Sequence, residues 1–215
     1  KRLIKLINIY NVKGTIIISS EGINGSISFL KKDLNKIKIK IKKIFKISKF
    51  DNENSVLTKF VPFKKGRIKL KKEVVPIGKK LKHRVKNNHL SPNQWNKFVL
   101  RKDSFIIDTR KEFEFKIGTF KNSINPQINN FRDFSKYFRK YKKNSKIGMF
   151  CTGGIRCEKA SDYLKSRGYT NIFQLKGGII NYLSKIDKKK SLWKGECFVF
   201  DNRVSVNHNL KSGKY

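Results

Sequence analysis

Between Ser91 and Lys185 short apolar runs alternate with helical patterns, and few folds accommodate that alternation. Helix periodicity at 92–100 leads into S-F-I-I-D at 104–108, and helix periodicity at about 129–142 leads into K-I-G-M-F at 146–150. A helix at 157–167, closed by Gly168, precedes N-I-F-Q-L at 171–175, and a last helix runs from Gly178 to about Lys185. Short apolar strands separated by helices predict an α/β domain with a parallel sheet flanked by helices. In such sheets the chemistry gathers at the C-terminal ends of the strands. Ser91 followed by Pro92 marks a helix start, with serine as N-cap and proline at the first helical position.

The strand at 146–150 ends directly at Cys151, in C-T-G-G-I-R-C-E-K-A-S. Strand, tight loop and helix N-terminus, in that order, aim the loop N–H groups at a point just above Cys151. Gly153 and Gly154 permit the backbone angles such a cradle needs. The helix dipole and Arg156 both favour a thiolate there, below the free-cysteine pKa of about 8.5. Cys151 is therefore the candidate nucleophile, with Thr152, Gly153, Gly154, Ile155 and Arg156 as its loop. Four residues separate Cys151 from Arg156, one fewer than in loops sized for a tetrahedral phosphate. The smaller ring suits a persulfide or another compact group on sulfur. A buried structural thiol is the competing role, but it gives the glycines and the arginine no purpose.

Asp108 and Arg110 close the strand at 104–108. Asp108 reads as a hydrogen-bond partner of the catalytic loop. Arg110 reads as a ligand of RNA phosphate or as the partner of a carboxylate such as Glu114. An internal network fixing the sheet edge is the competing reading for both. Cys157, in the first helical turn, is either a resolving thiol for Cys151 or a packed helix residue, and Cys197 reads as buried. His83, His89 and His208 are scattered without ligand spacing, and no G-x-G-x-x-G occurs, so neither a metal site nor a cofactor site can be identified. Phe131, Phe134, Tyr137, Phe138 and Tyr141 recur at helical spacing and read as core before they read as a base-stacking surface.

The first 80 residues have another rhythm. A helix at 2–10 is followed by a strand at 15–20, a turn E-G-I-N-G at 21–25 and a strand at 26–30. A lysine-rich helix at about 32–46 and strands near 55–63 and 67–75 complete the stretch. One more strand ahead of Lys1, central in the sheet, would make the βαββαβ order of a ferredoxin-like α+β domain. The chain also opens inside a helix and without methionine, as a piece of a longer protein would. Glu21 and Asn24 read as part of a plain hairpin turn, with an RNA contact as the other reading, since nothing in a turn requires the glutamate. The domain reading is 1–80 ferredoxin-like with its first strand missing, 81–94 linker, 95–190 the parallel-sheet domain, and 191–215 a C-terminal extension.

Composition bounds the partners. Lys and Arg number 52 against 15 Asp and Glu, a formal charge of +37, which attracts polyanions and RNA in particular. The lysines are spread over the whole chain, as AT-rich coding also produces, so a solvated basic surface is the alternative. Three cysteines, an odd count without framework spacing, suit a reducing cytoplasm. No apolar run approaches the roughly 18 residues of a membrane span, and no signal peptide opens the chain.

Taken together, C-T-G-G-I-R-C-E-K-A-S and L-K-G-G-I-I-N-Y-L (175–183) resemble the active-site half of a rhodanese domain. D-T-R-K-E-F-E-F-K-I-G-T-F (108–120), N-P (125–126), F-V-F-D-N-R-V-S (198–205), S-E-G-I-N-G-S-I-S (20–28) and K-K-E-V-V (71–75) extend the match over essentially the whole chain. More narrowly, the chain resembles the rhodanese-domain tRNA uridine hydroxylases. The resemblance implies oxygen-dependent C5 hydroxylation of the wobble uridine in the tRNA anticodon, with molecular oxygen as co-substrate and a persulfide carried on Cys151. Lys111 departs from the asparagine the family commonly has there. The further cysteines the family commonly carries after F-V-F-D do not occur within this sequence. A rhodanese-type sulfurtransferase shares the loop requirement and is the alternative function. An RNA-binding module with a redox-sensing thiol is a third reading, and the intact loop speaks against it. Protein partners are not implied.

Overall fold

The computed structural model describes residues 1–78, 81, 88–128 and 133–215. It divides into two compact units, Lys1–Val74 with Phe200–Arg203, and Val75–Val199 with Val204–Tyr215. His83, Phe131, the start of the helix expected at 129 and residues 82–87 of the segment read as a linker lie outside the described residues.

The first unit runs α1 (Arg2–Ile9), β1 (Lys13–Ser19), β2 (Gly22–Ser28), a 3-10 turn at Lys31–Asp33, α2 (Leu34–Phe45) and β3 (Gly66–Leu70). Its sheet has the order β2-β1-β3, with β1 antiparallel to β2 and parallel to β3. β1 thus lies between β2 and β3. Leu6, Val12, Ile37 and Ile41 form the core, with Ile23 and Ile27 of β2 packed against them. α2 stops where Lys46 turns into the left-handed region at φ 53°.

Three local expectations are corrected in this unit. The E-G-I-N-G stretch is strand from Gly22 onward, because pairing continues through Ser19 opposite Gly22 and leaves only Ser20 and Glu21 in the turn. Its glycines had suggested a turn, but they lie in the hydrogen-bonded ladder. Residues 55–63 form no strand, and the second expected strand is confined to β3. Glu21 also has a structural task, since its Oε2 accepts the Val74 N–H at 3.0 Å.

The second unit begins with β4 (Asn88–Leu90), α3 (Pro92–Val99), β5 (Ser104–Asp108), α4 (Glu112–Ile117), β6 (Gly118–Phe120) and β7 (Ser123–Ile124). Then follow α5 (Phe134–Tyr137), a 3-10 turn at Phe138–Lys140, β8 (Lys146–Phe150), α6 (Ile155–Ser166), β9 (Ile172–Leu175) and α7 (Gly178–Lys185). Short strands β10 (Trp193–Gly195), β11 (Cys197–Phe198) and β12 (Ser205–Val206) end it. Five strands make one wholly parallel sheet in the order β4-β9-β8-β5-β7. β8 is central, so its C-terminal end is where the architecture directs the chemistry.

The period-2 alternation along β8 sorts its side chains onto two cores. Phe150 joins Trp95, Phe120, Tyr182 and Trp193 on one face, while Ile147, Met149 and Cys151 join Phe134, Phe138, Cys157 and Leu164 on the other. Ser91 caps α3 in a capping box, accepting the Gln94 N–H while Gln94 Oε1 accepts the Ser91 N–H. The aromatic stripe belongs to the core: Phe134 and Phe138 are fully buried, and Tyr141 packs edge-on against Phe105. Among the described residues its helix is a single α turn that tightens to 3-10 and ends before Tyr141. Asn88–Leu90, read as linker, is the edge strand β4. The segment read as a C-terminal extension supplies β10, which pairs with β6 and sets Trp193 against Phe120 at 5.1 Å. Among the described residues no helix is long and apolar enough to cross a membrane.

Candidate active site around Cys151

The chain leaves the sheet at Phe150, and Cys151 is the first residue beyond it, with Gly154 N-capping α6 at φ 93°. That left-handed angle turns the Gly154 N–H back onto Cys151 Sγ at 3.1 Å. Cys151 is only 1% exposed, so the sulfur lies beneath the loop rather than on it. Burial by itself pushes its pKa up. The hydrogen bond from the Cys157 side chain, the charge of Arg156 and the Cys157 and Arg156 backbone N–H groups outweigh burial and bring the thiol down to about 6. Cys157 moves the other way, pushed up by burial and by the thiolate it serves. In this pair Cys151 ionises first and Cys157 remains the donor.

A second contact explains the paired glycines at 177–178. Ile179 N–H donates to Cys151 O at 3.0 Å and Ile180 N–H to Thr152 O at 3.2 Å, so the start of α7 holds the loop carbonyls. A Cβ at Gly178 would come within 2.5 Å of Cys151 O and 2.7 Å of Gly154 N. Only glycine allows the helix this close.

Arg156 does not point its guanidinium at the sulfur as its main contact. It forks onto Glu114, Nη1 to Oε2 at 2.7 Å and Nη2 to Oε1 at 2.9 Å, and Nη2 also reaches Thr152 Oγ1 at 3.3 Å. Glu114, 0% exposed, also accepts the Lys111 N–H at 3.1 Å. Burial raises its pKa, but the Arg156 bonds and charge more than compensate, so it is held below the usual carboxylate range. The fork ties the first turn of α4 to the loop and leaves the Arg156 charge acting on the thiolate from the side.

Asp108 and Arg110 sit differently from expectation. Asp108 accepts Arg110 N, Nε and Nη2 at 3.0, 2.9 and 2.6 Å, and the Thr119 hydroxyl at 3.0 Å. Neither side chain of the pair is exposed, so Arg110 is not available to a phosphate. Its remaining contacts are Gly118 O at 2.6 Å and the rings of Trp193 and Phe150, with Asp108 and not Glu114 as its partner. The link from this strand end to the loop is the intervening Thr109, whose N–H and hydroxyl both donate to Phe150 O, with Cys157 Sγ 3.5 Å from the hydroxyl.

The structure thus gathers Cys151, Thr152, Gly154, Arg156 and Cys157 around one sulfur, and adds Glu114, Thr109 and Gly178. Glu114 was legible only as some arginine's partner; its place in the first turn after D-T-R was the available signal. Cys197 is elsewhere in the core, fully buried and pushed up to about 12, first by burial. His89 meets Glu158 at 2.6 Å and His208 meets Ile186 O at 2.7 Å. Among the described residues no group of three His, Cys, Asp or Glu side chains converges as a metal site.

Comparison with known proteins agrees with both units. Residues 1–74 match the UPF0176 acylphosphatase like domain, and residues 91–185 match the rhodanese-like domain. The chain is 56% identical over 206 residues to the tRNA uridine(34) hydroxylase of Pelagibacter ubique (strain HTCC1062), covering 95% of this chain and 68% of that protein. Similar solved structures include a rhodanese-related protein from Thermoplasma volcanium, 22% identical over 46% of this chain and 92% of its own, with a TM-score of 0.39. A rhodanese-like domain protein of Staphylococcus aureus is 21% identical over 44% of this chain and 90% of its own, also with a TM-score of 0.39. An acylphosphatase-like α/β domain followed by a rhodanese domain is the architecture.

Proposed function

The chain belongs to the tRNA uridine(34) hydroxylase family, and we propose that it hydroxylates the wobble uridine of tRNA at C5, with Cys151 as its reactive sulfur. The observation that carries the assignment of the sulfur is the thiolate held under the loop by Gly154 N–H and the Cys157 thiol. Of the three cysteines only Cys151 has its pKa lowered. A thiolate is the form that accepts sulfane sulfur, and the four-residue loop is sized for the persulfide that results. A second sulfur also moves the reactive atom outward by about 2 Å, the S–S bond length, which suits a sulfur otherwise enclosed. Molecular oxygen is the co-substrate in this reading, the tRNA is engaged through its anticodon region, and the reaction takes place in the cytoplasm, where three free thiols are at home.

The test is nucleoside mass spectrometry of tRNA from cells lacking this protein, complemented with wild type or with Cys151→Ser. Wild type restores 5-hydroxyuridine and its derivatives, and Cys151→Ser leaves them at background while its thermal unfolding is unchanged. Hydroxylation by Cys151→Ser at near wild-type level would remove the sulfur from the reaction. Purified wild type that moves sulfur from thiosulfate to cyanide yet leaves tRNA uridine unmodified would instead make the protein a sulfurtransferase.

A further inference from the structure

In the first unit, strand register divides the sheet into two faces of opposite character. Ile16, Ile18, Ile23, Ile27 and Ile68 share one face, where Ile23 and Ile27 meet the core formed with α1 and α2. Paired positions on the other face bring together Lys13 and Thr15 of β1, Asn24 and Ser26 of β2, and Arg67 and Lys69 of β3. Apart from Ile17 that face is hydrophilic throughout, and none of its residues joins the hydrophobic core of the unit. Arg67, Lys69 and Ser26 are exposed, and Lys13, Arg67 and Lys69 make no ion pair among the described residues. The face carries no carboxylate. Residues 1–74 as a whole hold 20 Lys and Arg against five Asp and Glu.

A sheet face normally hides apolar side chains or alternates into solvent without a rule of sign. Here cations and neutral donors stand in rows, with Arg67 and Lys69 about 7 Å apart along one edge strand, two residues of an extended chain. Guanidinium, ammonium, hydroxyl and amide are the groups that contact phosphate and sugar oxygens, and they fix position without reading bases. No aromatic side chain lies on the face, so base stacking is not its mode. One isoleucine offers too little apolar surface to enter a lipid layer. We propose that this face is a docking surface for the RNA phosphate backbone, with Arg67 and Lys69 on phosphates and the Thr, Ser and Asn side chains on neighbouring phosphate and sugar oxygens. The proposal rests on tRNA being the substrate and adds where the tRNA body is held.

The test compares two double charge reversals in the full chain. Arg67→Glu with Lys69→Glu alters the face, and Lys32→Glu with Lys36→Glu makes the same change of charge at two exposed lysines, one in the 3-10 turn and one on α2. Binding of unmodified tRNA is followed by fluorescence anisotropy across a salt series. The face variant should raise Kd at least tenfold at about 0.1 M salt and flatten the log–log salt slope by about two, while the helix variant stays within about threefold. The milder Arg67→Gln with Lys69→Gln should fall between wild type and the reversal, and guards against a folding defect. Equal weakening by both reversals overturns the proposal in favour of net charge alone, and an unaltered Kd for the face variant overturns it outright. Hydroxylation is scored on the same preparations. Wild type that modifies tRNA while the face variant binds normally sinks the surface only. Selective loss of binding by the face variant, with tRNA left unmodified by wild type, supports the surface and sinks the hydroxylase reading instead.

Discussion

Two buried carboxylates of the rhodanese unit, Asp108 and Glu114, each take an arginine fork, and the two forks differ in reach. Asp108 and Arg110 are two residues apart, and both side chains are wholly buried. Asp201 and Arg203 repeat the same D-x-R fork, Arg203 N and Nε each reaching Asp201 Oδ1, at 3.0 and 2.9 Å. That geometry is therefore a property of the tripeptide and recurs in the first unit. Glu114 and Arg156 are 42 residues apart, join α4 to the thiolate loop, and leave Arg156 18% exposed. A local fork closes on itself and stabilises the strand end. A long-range fork places a charge beside the Cys151 thiolate. Sequence spacing alone does not separate them, since both begin from an arginine beside a candidate site.

The deepest cut through this contrast is Arg110→Ala. It strands Asp108 without a partner in a dry site and should cost about 3–5 kcal/mol. Urea unfolding followed by tryptophan fluorescence reads this directly, because both tryptophans, Trp95 and Trp193, lie in the same unit. A loss below about 1 kcal/mol would mean that the local fork is not what secures the strand end.

Cys157→Ala probes the sulfur without touching either fork. It removes the foremost hydrogen bond that favours the thiolate, so the Cys151 midpoint should rise from about 6 by at least one unit. The sign follows from an acid whose charged form loses a donor: at pH 7 the thiolate fraction falls. Thiolate absorbance near 240 nm, with Cys151→Ser as the blank, measures it without requiring reagent access to a buried sulfur. A midpoint that stays put would shift the credit to the arginine.

Arg156→Gln should give the smallest change of the three. The Cys151 midpoint rises, by less than in Cys157→Ala, since the Arg156 charge acts after the Cys157 bond in strength and is already shared with Glu114. The loss of stability should also be smaller than in Arg110→Ala, because one side of this fork meets solvent. An effect on stability matching that of Arg110→Ala would erase the distinction between the two forks.

Much of this was legible in the residues. The strand boundaries at Ser104–Asp108 and Lys146–Phe150, the Ser91 cap and the start of α7 at Gly178 agree with the pattern, because apolar runs and capping chemistry are local signals. Cys151 and its loop were visible for the same reason: six consecutive residues carry the geometry. What escaped was non-local. Glu114 turned to Arg156 and not Arg110 because α4 lies across from the loop, a fact of tertiary packing. Cys157 looked like a packed residue, and it is one, but its packing partner is the thiolate. Glycine content misled at 21–25, where the ladder of β1 and β2 overrode turn propensity.

The clasp of α7 on the loop has a kinetic consequence. The Ile179 and Ile180 amides bond to the carbonyls of Cys151 and Thr152, so those two amides and the lid over the sulfur open together or not at all. Under the proposed reaction, a uracil ring that approaches Cys151 by displacing Thr152 must first break them. Deuterium uptake at Ile179 and Ile180 then clocks how often the enclosed sulfur is uncovered, and their protection factor sets the free-energy toll on substrate entry. A helix start that looks purely architectural thereby becomes the latch of the site.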